Sequence, residues 1–188
     1  MKCRLLMLTV AMSCAFAGNV LALTKAEYST QNDQIKAEYK ASRDKCGTMK
    51  ANAKDICVAE AKGTEKTAKA ELESQYKPST KNTRDVAMAK ADSVYNVAKE
   101  KCDDLSGNAK DVCVKDAKAA HVKAREDAKV AKVSMESGAK SEKANEAKKD
   151  ATEEKREANY KAAKERCDSL AGNAKNTCEK DAKAKFRM

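Results

Sequence analysis

Small and apolar residues recur along most of this chain at steps of three and four, the spacing of one face of an α-helix. Lysine, glutamate and other polar residues fill the positions between them. The clearest run of the stripe is Met88, Ala91, Tyr95, Ala98, Cys102 and Leu105. A heptad-like stripe of this kind predicts helices with one narrow apolar seam, each packed against a partner helix.

Few residues interrupt this pattern, so the predicted helices are long. Lys77-Pro78-Ser79-Thr80 holds the only proline, and Ser137-Gly138 is a second break. The stripe is weakest at Ala144, Ala147 and Ala151, where we expect a helix that frays or bends. Together with the turns described below, these breaks predict about six helices, over residues 25–50, 53–76, 82–106, 109–136, 140–171 and 174–186.

One motif is written three times, beginning at Tyr39, Tyr95 and Tyr160. Each copy holds two cysteines with ten residues between them, and each cysteine lies on the apolar stripe of its own helix. Six cysteines allow 15 pairings. A tight turn would bring the two cysteines of one copy, each more than a turn from the bend, to facing positions. The repeats therefore favour the local pairing, Cys46–Cys57, Cys102–Cys113 and Cys167–Cys178.

The predicted fold class is all-α, with three disulfide-stapled antiparallel helical hairpins. The hairpins occupy residues 23–77, 78–138 and 139–188. Closing a loop of this size stabilises a fold by about 3 kcal/mol in the chain-entropy model. An elongated coiled-coil-like arrangement and a loose bundle both remain open.

The segment between the two cysteines of each copy has the composition of a turn. Gly107 and Gly172 suit the left-handed residue that ends a helix. Asn108 and Asn173 are favoured N-caps for the helix that follows. The first copy keeps Asn52 but has alanine in place of the glycine, so we expect a looser turn there.

Residues 1–22 have the pattern of a secretory signal peptide: basic residues, then an apolar stretch over 5–17, then small residues. Cleavage is expected near Ala22, or alternatively after Ala17. Lipidation of Cys14 is a weaker possibility that stays open. The apolar stretch is too short to span a bilayer, and no later segment is apolar enough to do so. The sequence thus predicts a periplasmic or secreted protein.

Composition changes this picture in one respect. Just over half of the residues after Ala22 are Ala, Glu, Lys, Leu or Arg, which is typical of long helices, whereas only about a tenth are Leu, Ile, Val or Phe. So few large apolar side chains cannot form a thick core. Thin helix pairs packed through alanine remain possible if something holds them together, and an oxidising compartment would allow the disulfides to do so.

No residue pattern indicates catalysis, a cofactor or a metal site. The single histidine, His121, lies in an Ala/Lys-rich helix without a Ser or Cys at a suggestive spacing, and we interpret it as a surface residue. The cysteines lack the short spacings of zinc or redox sites. Asp103-Asp104 and Glu153-Glu154 are interpreted as solvated faces, and the seam tyrosines as core.

The basic excess is the one feature that points to a partner. The formal net charge is +10, and +8 after removal of residues 1–22. Acids alternate with the lysines at helical spacing, as in Glu65/Lys69 and Glu157/Lys161, which is typical of helix solubilisation. A concentrated basic stripe with stacking aromatics, the mark of nucleic-acid binding, is lacking. Weak attraction to lipopolysaccharide, anionic lipid or nucleic acid remains possible.

The segments Ala68–Glu73 (AKAELE) and Lys161–Arg166 (KAAKER) resemble the Ala/Lys/Glu-rich helical stalk of TolA-type envelope proteins. The chain is also similar to uncharacterised secreted proteins of Gram-negative bacteria that carry such hairpins. It departs from TolA in its cleavable leader, so energy transduction is not implied.

The resulting expectation is a non-enzymatic envelope protein with a structural or interaction role and an envelope protein as partner. The alternative is a polyanion-binding, stress-protective protein. The sequence leaves the oligomeric state open.

Overall fold

The computed structural model describes residues 23–188, so the predicted signal peptide, its cleavage sites and Cys14 lie outside the described residues. This part of the chain is all-α, as predicted, and holds six helices and no strand. The helices are α1 Lys25–Cys46, α2 Ala51–Tyr76, α3 Thr80–Cys102, α4 Gly107–Ser137, α5 Glu142–Cys167 and α6 Gly172–Phe186.

The helices before the three turns end four residues earlier than predicted, at the first cysteine of each motif. The backbone N–H groups of Met49, Leu105 and Leu170 donate to the carbonyl of the cysteine three residues back, at 3.1, 3.0 and 3.0 Å. These three-residue turns replace the four-residue ladder of an α-helix. The helix therefore stops at the cysteine although the apolar stripe continues.

The predicted disulfide pairing is confirmed in all three hairpins. The Cα–Cα distances are 5.5 Å for Cys46–Cys57, 5.6 Å for Cys102–Cys113 and 5.7 Å for Cys167–Cys178. The first cysteine of each pair is the last residue of its helix, so the prediction that both lie more than a turn from the bend was wrong. Each disulfide thus closes its hairpin directly at the turn.

The glycines of the turns have the left-handed backbone, with φ of +56° at Gly107 and +55° at Gly172, but each begins the return helix rather than ending the first one. Ala51 takes the same conformation, with φ of +48°. The first turn therefore keeps the geometry of the others and is not the looser turn we expected. A left-handed backbone costs an alanine about 1–2 kcal/mol, so this turn is strained.

The asparagines of the motif are not N-caps, contrary to the prediction. The N-cap residues of α2, α4 and α6 are Lys50, Ser106 and Ala171, and none makes a side-chain capping bond. Asn52, Asn108 and Asn173 are each the second residue of their helix. Each helix begins at the left-handed residue before the asparagine, two positions earlier than capping by asparagine requires. Their side chains are thereby free to point across the row of helices.

The six helices lie side by side in an open row. Within residues 23–188, each helix contacts only the helices next to it in sequence. Contacts are most extensive between α2 and α3 and between α4 and α5, which belong to different hairpins. The helix connections do fall at the predicted breaks, Lys77-Pro78 and Ser137-Gly138. The hairpins nevertheless pack on one another more closely than the helices within them.

The interior of the row is built from alanines, half-cystines and Leu72. The largest fully buried side chains are Cys46, Cys102 and Cys167. Ala144 and Ala151 are buried too, so this stretch is an ordinary packed helix and not the frayed one expected.

Small residues also set how closely the helices approach. A Cβ placed on Gly63 would lie 2.0 Å from Ser93 Oγ, so α2 and α3 meet where one of them lacks a side chain. The seam tyrosines are half-buried rather than core residues.

Replacing Ala51 with glycine should stabilise the protein by about 1 kcal/mol, because glycine adopts the left-handed backbone without strain. Chemical denaturation followed by circular dichroism measures the change. Ala53→Gly, two residues further into the same helix and also exposed, should instead cost about 0.5–1 kcal/mol. Equal effects of the two substitutions would contradict the strained turn.

Candidate functional site

A cluster of charged side chains joins α2, α3 and α4. Asp92 of α3 accepts hydrogen bonds from Lys66 Nζ of α2 at 2.6 Å and from Arg125 Nη1 of α4 at 2.8 Å. The Nε2 of His121, also in α4, lies 2.8 Å from Asp92 Oδ1. One carboxylate therefore holds three helices together.

His121 is not the surface residue that the sequence suggested. Its side chain is only 10% exposed, and its ring stacks on Tyr95 with 4.5 Å between ring centroids. Because the carboxylate can only accept, Nε2 carries the proton that faces Asp92. The other ring nitrogen, Nδ1, is buried without a hydrogen-bond partner among the described residues.

Burial of Asp92 by itself raises the pKa of its carboxyl group. The hydrogen bonds from Lys66, His121 and Arg125 outweigh that effect and hold the pKa well below its ordinary value. Asp92 is therefore ionised throughout the physiological range. Its negative charge favours the three cationic or proton-donating groups around it, and the cluster contributes to stability as a unit.

The arrangement is suited to holding helices together rather than to reacting with a substrate. A histidine–carboxylate pair can orient a general base, but the base nitrogen then needs a nucleophile within hydrogen-bond distance. His121 Nδ1 has none in the described part of the chain. Nor do residues 23–188 contain three or more His, Cys, Asp or Glu side chains grouped to hold a metal ion.

A second kind of contact links each hairpin to the next. The Nδ2 of Asn52 donates to the backbone carbonyl of Glu100 at 2.7 Å, across the α2–α3 interface. The Nδ2 of Asn108 donates to the carbonyl of Glu165 at 3.0 Å, across the α4–α5 interface. Both acceptors lie two residues before the first cysteine of the next hairpin. We call this contact the asparagine clamp.

An ion pair repeats at the far end of the same two interfaces. Lys90 Nζ lies 2.7 Å from Glu71 in the first interface, and Lys155 pairs with Asp127 in the second. These residues also occupy equivalent positions of the motif. The two inter-hairpin interfaces thus share a clamp near the turns and an ion pair near the opposite ends, which gives both the same register.

The third asparagine of the set is left over. Asn173 is exposed and makes no hydrogen bond with its side chain among residues 23–188.

The acids at the turns form ion pairs, whereas we had expected Asp103 to belong to a solvated face. That residue pairs with Lys110 at 2.9 Å, and Asp168 pairs with Lys175 at 2.7 Å. Each of these pairs ties the end of one helix to the start of its return helix.

The central hairpin carries an apolar groove on one face of the row. Its walls are alanines of α3 and α4 together with Val94, Tyr95 and His121, and its volume is about 390 Å³. Val94 is 67% exposed and lines this groove. None of the helices in residues 23–188 is long and apolar enough to cross a membrane.

The sequence identified the cysteines but missed Asp92 and its partners. The disulfide itself held the signal, because pairing Cys102 with Cys113 fixes the antiparallel register of α3 and α4. Asp92 lies ten residues before one cysteine and His121 eight residues after the other, so the register places them opposite each other. Lys66 could not be found this way, because it belongs to the neighbouring hairpin.

No family model matches the chain, and neither the curated proteins nor the solved structures give a match.

Replacing Asp92 with asparagine should destabilise the protein by about 2 kcal/mol at pH 7, because three donors lose a charged acceptor. The lowered pKa means that the contribution of Asp92 is complete above about pH 4 and is lost as the pH falls further. The difference between the variant and the wild type should therefore shrink below pH 4. Urea denaturation at a series of pH values measures it.

The control for that substitution is Asp33→Asn. Asp33 pairs with Lys36 at 2.9 Å, but its side chain is 67% exposed. Loss of such a pair should change stability by less than about 0.5 kcal/mol at any pH. If the Asp92 cluster does not contribute to stability, the free energy of unfolding will depend on pH in the same way in Asp92→Asn and Asp33→Asn.

The asparagine clamp is tested by comparing equivalent residues. Asn108→Ala should cost about 1 kcal/mol, because it removes the hydrogen bond to Glu165. Asn173→Ala should leave the stability of the monomer nearly unchanged, because that side chain is exposed and unbonded. Chemical denaturation at low protein concentration measures both. If the two substitutions have equal costs, the clamp does not hold the hairpins together.

Proposed function

We propose that this is a non-enzymatic protein of an oxidising compartment outside the cytoplasm, where it acts as a structural or interaction element of the cell envelope. Three disulfides of the kind described persist in such a compartment. The leader-like pattern of residues 1–22 and the resemblance to envelope proteins agree with that location.

The observation that carries the proposal is the shared register of the two inter-hairpin interfaces. Because the asparagine clamp and the acid–lysine pair recur at equivalent positions, successive hairpins are set at a similar angle and spacing. A row built this way has a regular spacing and presents long faces to its surroundings. Those are the properties of a spacer or a docking platform, as in other repeat arrays.

The chemistry of the exposed and buried residues supports the same role. The carboxylate of Asp92 lies between helices, partly buried, and is occupied by its own partners. The apolar groove at Val94 is open and lined with small side chains, which suits a contact with another protein better than the enclosure of a small substrate.

Site-specific photo-crosslinking in the native host tests this role. A photoreactive residue at Val94, in the groove, should give a discrete adduct with one protein that survives a wash at high salt. The same residue at Asn96, exposed on the same helix but about 200° further round it, should not. A polyanion-binding role predicts the opposite, namely recovery of lipopolysaccharide or nucleic acid that disappears as salt is added.

A further inference from the structure

One end of the row carries a donor like that of the asparagine clamp, and the other end carries a matching acceptor. At the α6 end, Asn173 stands where Asn52 and Asn108 stand in α2 and α4, yet it is exposed. The two equivalent asparagines are half-buried and bonded to the next hairpin. Asn173 is thus a donor in the position of a clamp that lacks its acceptor among the described residues.

The matching acceptor lies on α1, at the other end of the row. The acceptors of the clamp, the carbonyls of Glu100 and Glu165, belong to residues two positions before a cysteine, and in α1 that residue is Asp44. Its carbonyl receives the N–H of Gly47 at 3.1 Å, just as that of Glu100 receives the N–H of Asp103 at 3.0 Å. The second lone pair, which takes the asparagine inside the row, has no described partner at Asp44.

The small residues where helices approach closely are also buried inside the row and exposed at its two ends. Gly63 and Ala119, the equivalent residues of α2 and α4, are buried in the inter-hairpin interfaces, whereas Ala184 at that position of α6 is exposed. On α1, Ala37 occupies the position that Ser93 holds in α3 opposite Gly63, and it is exposed as well. Both ends thus have room for a helix at the close spacing found inside the row.

Charge supports the same pairing at the clamp. Across the second interface, Lys115 Nζ lies 3.7 Å from the carboxylate of Glu165. The equivalent residues at the two ends are Lys180 of α6 and Asp44 of α1, which are again opposite in charge. The clamp acceptor and the ion-pair acceptor therefore coincide at Asp44, as they do at Glu165.

We propose that a second copy of this chain docks head to tail, with the outer face of its α1 against the outer face of α6. The proposal rests on the interaction role given above and names the partner. Such an interface joins two different surfaces, so it extends into open chains of molecules unless the rotation closes a ring. The α6 helix has 15 residues where α2 has 26, so the interface is shorter and the association is reversible and concentration-dependent.

Sedimentation velocity of the oxidised protein over a concentration series tests the docking. The wild type should form dimers and longer chains as the concentration approaches about 1 mM, the range of weak interfaces. Ala184→Tyr should remain monomeric, because a large side chain fills the space where the helices approach. The control is Ala174→Tyr on the same helix, whose equivalents Ala53 and Ala109 stay exposed inside the row. This control should associate like the wild type.

A charge exchange tests the register. Lys180→Glu and Asp44→Lys should each weaken association about fivefold at low salt, and the double variant should restore it. Asn173→Ala should weaken it by about 2- to 10-fold, the value of one hydrogen bond. Circular dichroism verifies that each variant keeps its helices, as expected for exposed positions.

Two results would overturn the docking. One is a wild type that stays monomeric up to about 1 mM, below which even weak specific interfaces form. The other is association that Ala184→Tyr and Ala174→Tyr affect equally. Neither result touches the proposed function if the photo-crosslink at Val94 still identifies a different protein. Conversely, self-association without any Val94 adduct would keep the docking and remove the groove as an interaction site.

Discussion

The disulfide at each turn is the constraint on which this fold depends. Helices so poor in large apolar side chains bury little surface, and the largest fully buried side chains are half-cystines. Each disulfide closes a short loop, which removes about 3 kcal/mol of chain entropy from the unfolded state. It also fixes the register of the two helices it joins. The meeting of Asp92 with His121 depends on that register, as does the position of each clamp asparagine beside the turn.

Packing between hairpins then adds buried surface, of which a single hairpin has little. The contacts of α2 with α3 and of α4 with α5 are the most extensive in the row, and the closest approach, at Gly63, lies in the first of them. The alanine surfaces alone do not specify one register between neighbouring helices. The asparagine clamps and the acid–lysine pairs specify it. The disulfides thus close each hairpin, and the polar contacts between hairpins fix how neighbouring hairpins pack in the row.

The periodicity and the repeated cysteines were enough to predict the helices, the breaks and the disulfides, because these follow from local spacing. The caps were wrong, since a left-handed residue at Ala51 or Gly107 shifts the helix start away from the asparagine. The cluster at Asp92 was missed because single-helix patterns do not show the register that the Cys102–Cys113 disulfide sets, and because Lys66 belongs to the neighbouring hairpin. Burial of His121 follows from an interface that no single-helix pattern encodes. Side-chain roles set by neighbouring hairpins need the three-dimensional arrangement.

Hydrogen exchange of the oxidised and the fully reduced protein tests most directly whether the disulfides hold the row together. With the disulfides intact, amides of α2 to α5 should be the best protected, because these helices have a neighbour on each side. On reduction, α6 should lose protection first, since its interface with α5 is the smallest in the row, and the other helices should follow. A reduced protein that keeps the protection of all six helices would contradict the account, because alanine packing and polar contacts alone would then suffice.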